Sequence, residues 1–206
     1  MQAFSSRYDA ALALAARAHR DQLRKGTDLP YIAHPVHVSI ILMRHGFAED
    51  LAIAGLLHDV VEDTDTSLAL IAAEFGDQVA RLVEAVSETK SVDGAELPWE
   101  QRKEEKLAHL RTAGPDVAAL KAADAIHNLR SIIADLENVG QLLWARFKRG
   151  PEPTLWYYEE ILIAVRDWLG NHPIVEELAV AVQDLRKVVS RGGGHVLTSI
   201  TLNPET

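Results

Sequence analysis

From Tyr8 to beyond residue 185, apolar side chains recur at three- and four-residue spacing with few interruptions, and no stretch alternates apolar with polar as a half-buried strand does. That period restricts the chain to helices packed on helices, and we expect an all-α fold of about nine or ten helices. Tyr8, Leu12, Ala15 and Ala16 mark one face of a first helix running to about residue 22. Residues 25–30 form a turn cluster, Pro35 suits the first turn of a helix over 35–45, and Gly46 closes it. A helix over 49–62 is apolar nearly all round, which predicts burial. Thr66 or Ser67 can cap a short helix ending at Gly76, and Asp77 can cap the next. Residues 88–97 read as a loop. A charged helix over 99–111 follows, then helices over 116–134, 154–170 and 173–190, with a basic, aromatic connection across 144–153.

At 206 residues the chain suits one domain, expected over 1–191, with a mobile tail over 192–206 that carries three consecutive glycines and no amphipathic pattern. There is no cysteine, which excludes disulfides, thiolate metal sites and cysteine nucleophiles. The 21 basic residues stand against 30 acidic ones, a net charge of −9. Nucleic acid is therefore an unsuitable main partner, whereas a small anion in a local basic pocket is compatible. No apolar run is long enough to span a membrane and the first residues lack a signal-peptide core, so the expected compartment is the cytoplasm. There is also no glycine-rich phosphate loop of the P-loop or dinucleotide type.

The segment His58-Asp59-Val60-Val61-Glu62-Asp63 closes the most apolar helix. A His-Asp pair alone is expected by chance; the added Glu and Asp at the third and fourth positions after it make the combination specific. Helical spacing gathers an imidazole and three carboxylates within one turn. Like charges that close raise one another's pKa unless a cation lies among them, and the C-terminal end of a helix is the wrong end for acid. Metal binding resolves both conflicts. His34 stands at a helix entrance, and Asp124 sits among Ala and Ile on a helix that otherwise reads as core, where a carboxylate is costly unless paired or bound to metal. Two imidazoles and two carboxylates suit Mn²⁺ or Fe²⁺, with Zn²⁺ a further option.

His34, His58-Asp59 and Asp124 resemble the H…HD…D pattern of the HD metal-dependent phosphohydrolase superfamily. Neighbouring words resemble its RelA/SpoT-type (p)ppGpp hydrolase branch: Ala18 to Gln22, Arg24-Lys25, Pro30-Tyr31-Ile32-Ala33-His34-Pro35, Leu56 to Thr64, Phe75-Gly76 and Lys121 to Arg130. The resemblance covers roughly residues 5–135 and is similar in extent to the stand-alone small alarmone hydrolases. It implies an HD-domain helical bundle. It also implies Mn²⁺-dependent hydrolysis of the 3′-diphosphate of (p)ppGpp, giving GDP or GTP and pyrophosphate. His34, His58, Asp59 and Asp124 would hold Mn²⁺, and Glu62 and Asp63 would orient and deprotonate the water. Arg24, Lys25, Asn128, Ser131 and Lys121 would contact the nucleotide, with Arg130 a further nearby cation. Arg146, Lys148, Arg149 and Tyr157 can grip the 5′-phosphates or belong to a solvated connection with core aromatics. The alternatives are (p)ppApp or another nucleotide as substrate, and a non-catalytic alarmone-binding module. The remaining histidines, His19, His37, His45, His109, His127, His172 and His195, read as surface or structural; His37 and His127 come nearest the site, where either can orient a carboxylate.

Overall fold

Serine caps and glycine stops divide the chain where its periodicity breaks. The computed structural model describes residues 5–87, 91–92, 95–146 and 149–192; the expected tail beyond Gly192, with His195, lies outside them, as does Lys148. Among the described residues the order is α1 (Ser6–Ala18), α2 (Ala33–Arg44), α3 (Glu49–Leu57), α4 (Val60–Asp63), α5 (Leu68–Phe75), α6 (Asp77–Val86), β1 (Ser91–Val92), β2 (Ala95–Glu96), α7 (Trp99–Leu110), α8 (Pro115–Val139), α9 (Pro151–Leu169) and α10 (Pro173–Gly192). A 3₁₀ turn, Gly140–Arg146, joins α8 to the segment before α9. The fold is all-α, with one correction: in the expected loop over 88–97, β1 and β2 pair antiparallel, Ser91 opposite Glu96.

The Ser5 side chain accepts from the Tyr8 amide to start α1, and Ser67 accepts from the Leu70 amide to start α5. Asp77 does not cap α6. Gly76, at φ 88°, takes the cap position because that backbone angle suits glycine, and Asp77 becomes the first helical residue, where its charge complements the helix dipole. The first helix ends at Ala18 rather than near residue 22, and α8 runs five residues past the expected 134.

Burial centres on α3, whose residues Leu51 to Leu57 are all buried. It packs on α1, α2, α6 and α8, while α9 and α10 cover the other side of α8. A Cβ on Gly55 would stand 3.0 Å from the Leu42 side chain and 3.2 Å from the Ser39 backbone, so α2 and α3 approach closely only because residue 55 has no side chain. The helix expected over 49–62 is broken at His58-Asp59, where Asp59 adopts φ −100°, ψ −8° and α4 restarts. At the far end of α2, Glu177 of α10 pairs with Arg44, His45 and Arg130, tying α2, α8 and α10 together.

Gly55→Ala should therefore force α2 from α3 and lower stability by about 1–3 kcal/mol, measured by denaturant unfolding. Burial raises the Glu177 pKa, but hydrogen bonds from His45 and Arg44 and the Arg130 charge outweigh it and hold the carboxyl below its usual range. A depressed carboxylate contributes stability above its unfolded pKa and loses it as pH falls through the folded value. Glu177→Gln should remove that acid-side dependence, so wild type and variant should converge in thermal midpoint as pH falls below the usual glutamate range.

Candidate metal centre

Three separate pieces of backbone aim side chains at one point. His34 lies in the first turn of α2, His58 and Asp59 occupy the break between α3 and α4, and Asp124 projects from the middle of α8. The His58 Nδ1–H donates to the Gly55 carbonyl at 2.9 Å, which turns Nε2 toward the cluster. His58 Nε2 lies 3.2 Å from His34 Nε2 and 3.1 Å from Asp59 Oδ2. His34 Nε2 is 3.5 Å from Asp59 Oδ2 and 3.3 Å from Asp124 Oδ1, and His58 Nε2 is 3.9 Å from that same Asp124 oxygen. At a metal–ligand distance of ~2.1 Å, ligand atoms stand ~3.0 Å apart at right angles and ~3.4 Å apart at the tetrahedral angle. The separations among His34, His58 and Asp59 match a shared cation, and these three can hold a metal ion; Asp124 borders the group, within ligand spacing of His34 but farther from His58.

The electrostatics point the same way. Burial raises the Asp124 pKa, but Lys121, His34 and His58 overcome it and keep the carboxyl well below its usual range. Asp59 is likewise held low by His58 and His34 against its own burial. The two imidazoles diverge: burial lowers the His34 pKa, whereas Asp59 and Asp124 outweigh burial at His58 and push it up to about 9. A buried site that draws a proton onto one of two adjoining imidazoles, between two ionised carboxylates, is a site that favours a cation.

An outer layer fixes these groups. His34 Nδ1 lies 2.7 Å from His127 Nδ1. With the His34 Nε2 lone pair turned inward, Nδ1–H is the donor and His127 the acceptor; burial, the adjoining His34 and the Arg24 charge push the His127 pKa down to about 3, which keeps it neutral for that task. His37 stacks on His127 with centroids 4.8 Å apart. The Tyr31 hydroxyl donates to Asp59 Oδ2 at 2.6 Å. Lys121 Nζ and Asn128 Nδ2 donate to the two oxygens of Asp124, at 2.7 and 2.5 Å. Arg24 donates to Asn128 Oδ1 at 2.9 Å while its guanidinium lies over the Tyr31 ring.

The structure thus brings Arg24, Asn128 and Lys121 to the cluster. Lys25 is exposed on the following turn, and the Ser131 hydroxyl donates back to the His127 carbonyl at 2.9 Å. Glu62 is half-buried with Lys106 Nζ 3.8 Å from its carboxylate, and Asp63 is exposed and accepts from Gln22 Nε2 at 3.2 Å. A cavity of about 760 Å³ opens between α6, α7, α8 and α9 and reaches the site at Lys106, Lys121 and Tyr157. Arg149 pairs with Glu100 at the surface, and Tyr157 is buried with Lys103 and Lys121 over its ring. Sequence reasoning missed Tyr31 and Lys106 and set His127 aside. The signals were helical spacing: Tyr31 lies three residues before His34, and His127 three after Asp124.

The HD domain family model matches residues 11–151. The human guanosine-3′,5′-bis(diphosphate) 3′-pyrophosphohydrolase MESH1 is 41% identical over 121 residues, 57% of this chain and 65% of its own length. The chain thus spans slightly less than two thirds of that relative; the Xenopus tropicalis MESH1 is 39% identical over 132 residues, 60% of this chain and 71% of its own. Among solved structures, a metazoan orthologue of SpoT described as hydrolysing ppGpp superposes with a TM-score of 0.72 at 27% identity, covering 94% of this chain and 99% of that one. Its match over most of the helical bundle, together with the family model, gives the assignment: the chain belongs to the HD domain family, alongside the MESH1 proteins.

Proposed function

We propose that this protein is a cytoplasmic, Mn²⁺-dependent hydrolase of the 3′-diphosphate of (p)ppGpp, releasing pyrophosphate and leaving GDP or GTP. The observation that carries the reading is the convergence of His34, His58 and Asp59 with ligand atoms 3.1–3.5 Å apart, with Asp124 Oδ1 3.3 Å from His34 and Glu62 and Asp63 four residues beyond His58 and Asp59. The identity to MESH1, named for this activity, supports the substrate class.

His34, His58, Asp59 and Asp124 would hold the metal, their hard mixed N/O donor set fitting Mn²⁺. A divalent cation bound there supplies Lewis acidity at the scissile phosphoryl group. Glu62 and Asp63 hold the attacking water and take its proton, which can then pass to the departing ribose 3′-oxygen. The water oxygen bonds to phosphorus as the bond to the ribose 3′-oxygen breaks, so the products are pyrophosphate and a free hydroxyl. Arg24, whose flat guanidinium already lies over Tyr31, offers a stacking face to the base, and Lys25 and Lys121 offer charge to phosphate. Asn128 and Ser131, on the Asp124 face of α8, meet the ribose or base. The basic groups clustered here reconcile a polyanionic substrate with a chain of net charge −9. Among the described residues no helix is long and apolar enough to cross a membrane.

Side-by-side turnover of ppGpp and ppApp with Mn²⁺ and with chelator tests the reading. Metal-dependent pyrophosphate release from ppGpp is expected, whereas release from ppApp alone would reassign the base. Orthophosphate as product, or no turnover with metal bound, would refute it. Glu62→Gln with Asp63→Asn should keep metal and substrate binding yet lose roughly 10²–10⁴-fold in kcat. Unchanged kcat in that variant would remove both carboxylates from the chemistry.

A further inference from the structure

Asp63 lies on α4, a helix of four residues at the surface, and such a short element cannot by itself hold a carboxylate in one orientation. Its partner comes from the other side of the site. Gln22 Nε2 donates to Asp63 Oδ2 at 3.2 Å, and Gln22 Oε1 lies 2.7 Å from His19 Nδ1. The carboxylate decides which way the amide points, because the reverse orientation would set Oε1 against a carboxylate oxygen. With Oε1 facing His19, the Nδ1 nitrogen must be the donor.

His19 is built for that single bond. It caps α1, is 1% exposed, and packs its ring on Tyr31 with centroids 4.8 Å apart. Its Nε2 has no hydrogen-bond partner among the described residues. A buried nitrogen without a partner is tolerated more readily as a bare lone pair than as an N–H, which again leaves the proton on Nδ1. The Gln22 backbone is fixed as well: its amide donates to the His19 carbonyl at 3.0 Å and its carbonyl accepts from the Tyr31 amide at 2.9 Å. Main chain and side chain are both held, so the direction of the Nε2–H donor is set before Asp63 arrives.

We infer that Gln22, oriented by the buried His19, is a positioning residue that aims the Asp63 carboxylate at the reacting water. This rests on the reading above, in which Asp63 acts on that water. The test is a double-mutant cycle on the Mn²⁺-loaded protein with ppGpp, comparing wild type, Gln22→Met, Asp63→Ala and the double variant, with metal content and thermal midpoint measured on each. Gln22→Met keeps the length and loses the donor, and it should lower kcat about 10- to 100-fold with KM within about twofold. The double variant should be no slower than Asp63→Ala alone. His19→Phe keeps the ring packing and loses Nδ1–H, and it should lower kcat in the same direction.

Two results overturn the inference alone: wild-type kcat in Gln22→Met, or a double variant slowed by the product of the two single effects. Wild-type turnover in Asp63→Ala overturns the mechanistic reading beneath it, so the two failures are distinguishable.

Discussion

Two carboxylates and two imidazoles meet at one buried point, and the architecture around them serves to keep them there. The cluster's carboxylates hold the His58 pKa up and draw donors from Tyr31, Asn128 and the Lys121 ammonium. Removing charges from water this way is unfavourable unless each is paired, so the cluster is a standing demand for positive charge. The helices supply the rigidity that demand requires. Leu51 to Leu57 of α3 are all buried, which packs its C-terminal end on every side, and Gly55 lets α2 approach until His34 and His58 stand 3.2 Å apart.

The same glycine acts twice. Its missing side chain sets the spacing of α2 and α3, and its carbonyl accepts the His58 Nδ1–H that fixes the imidazole tautomer. His127 performs the matching service for His34, Tyr31 for Asp59, and Asn128 with Lys121 for Asp124. Each inward-facing group thus has an outer partner, which is how a protein holds a donor set at a chosen geometry. Arg24 closes this layer by bridging Asn128 and Tyr31, so the group expected to meet the nucleotide is itself tethered to the metal cluster. A substrate that engages Arg24 would draw on the same network that orients Asp59 and Asp124.

Much of this was legible in the sequence because the strongest signals were local. The all-round apolar pattern of Leu51 to Leu57 implied burial, and the His58-Asp59 and Glu62-Asp63 pairs lie within one helical turn. Asp124 stood out because alanines give a carboxylate nothing to pair with, although the structure shows that Lys121, three residues earlier, does pair with it. What escaped was set by tertiary contacts or by competing backbone bonds. Neither residue at the His58-Asp59 break is a glycine or proline, and periodicity carried the helix straight through it. The roles of Tyr31 and Gln22 depend on α3 and α4 lying against the turn after α1, a contact between residues 28 and 41 positions apart. His127 was visible at helical spacing from Asp124 but orients an imidazole rather than a carboxylate, a distinction only the packing of α2 on α8 reveals.

The measurement that reaches the central claim most directly is anomalous diffraction at the manganese edge from crystals grown with Mn²⁺. One peak is predicted, ~2.0–2.3 Å from His34 Nε2, His58 Nε2, Asp59 Oδ2 and Asp124 Oδ1, and absent from Asp59→Asn crystals. A fully occupied peak elsewhere in the molecule, or none at this cluster at saturating Mn²⁺, would contradict the account.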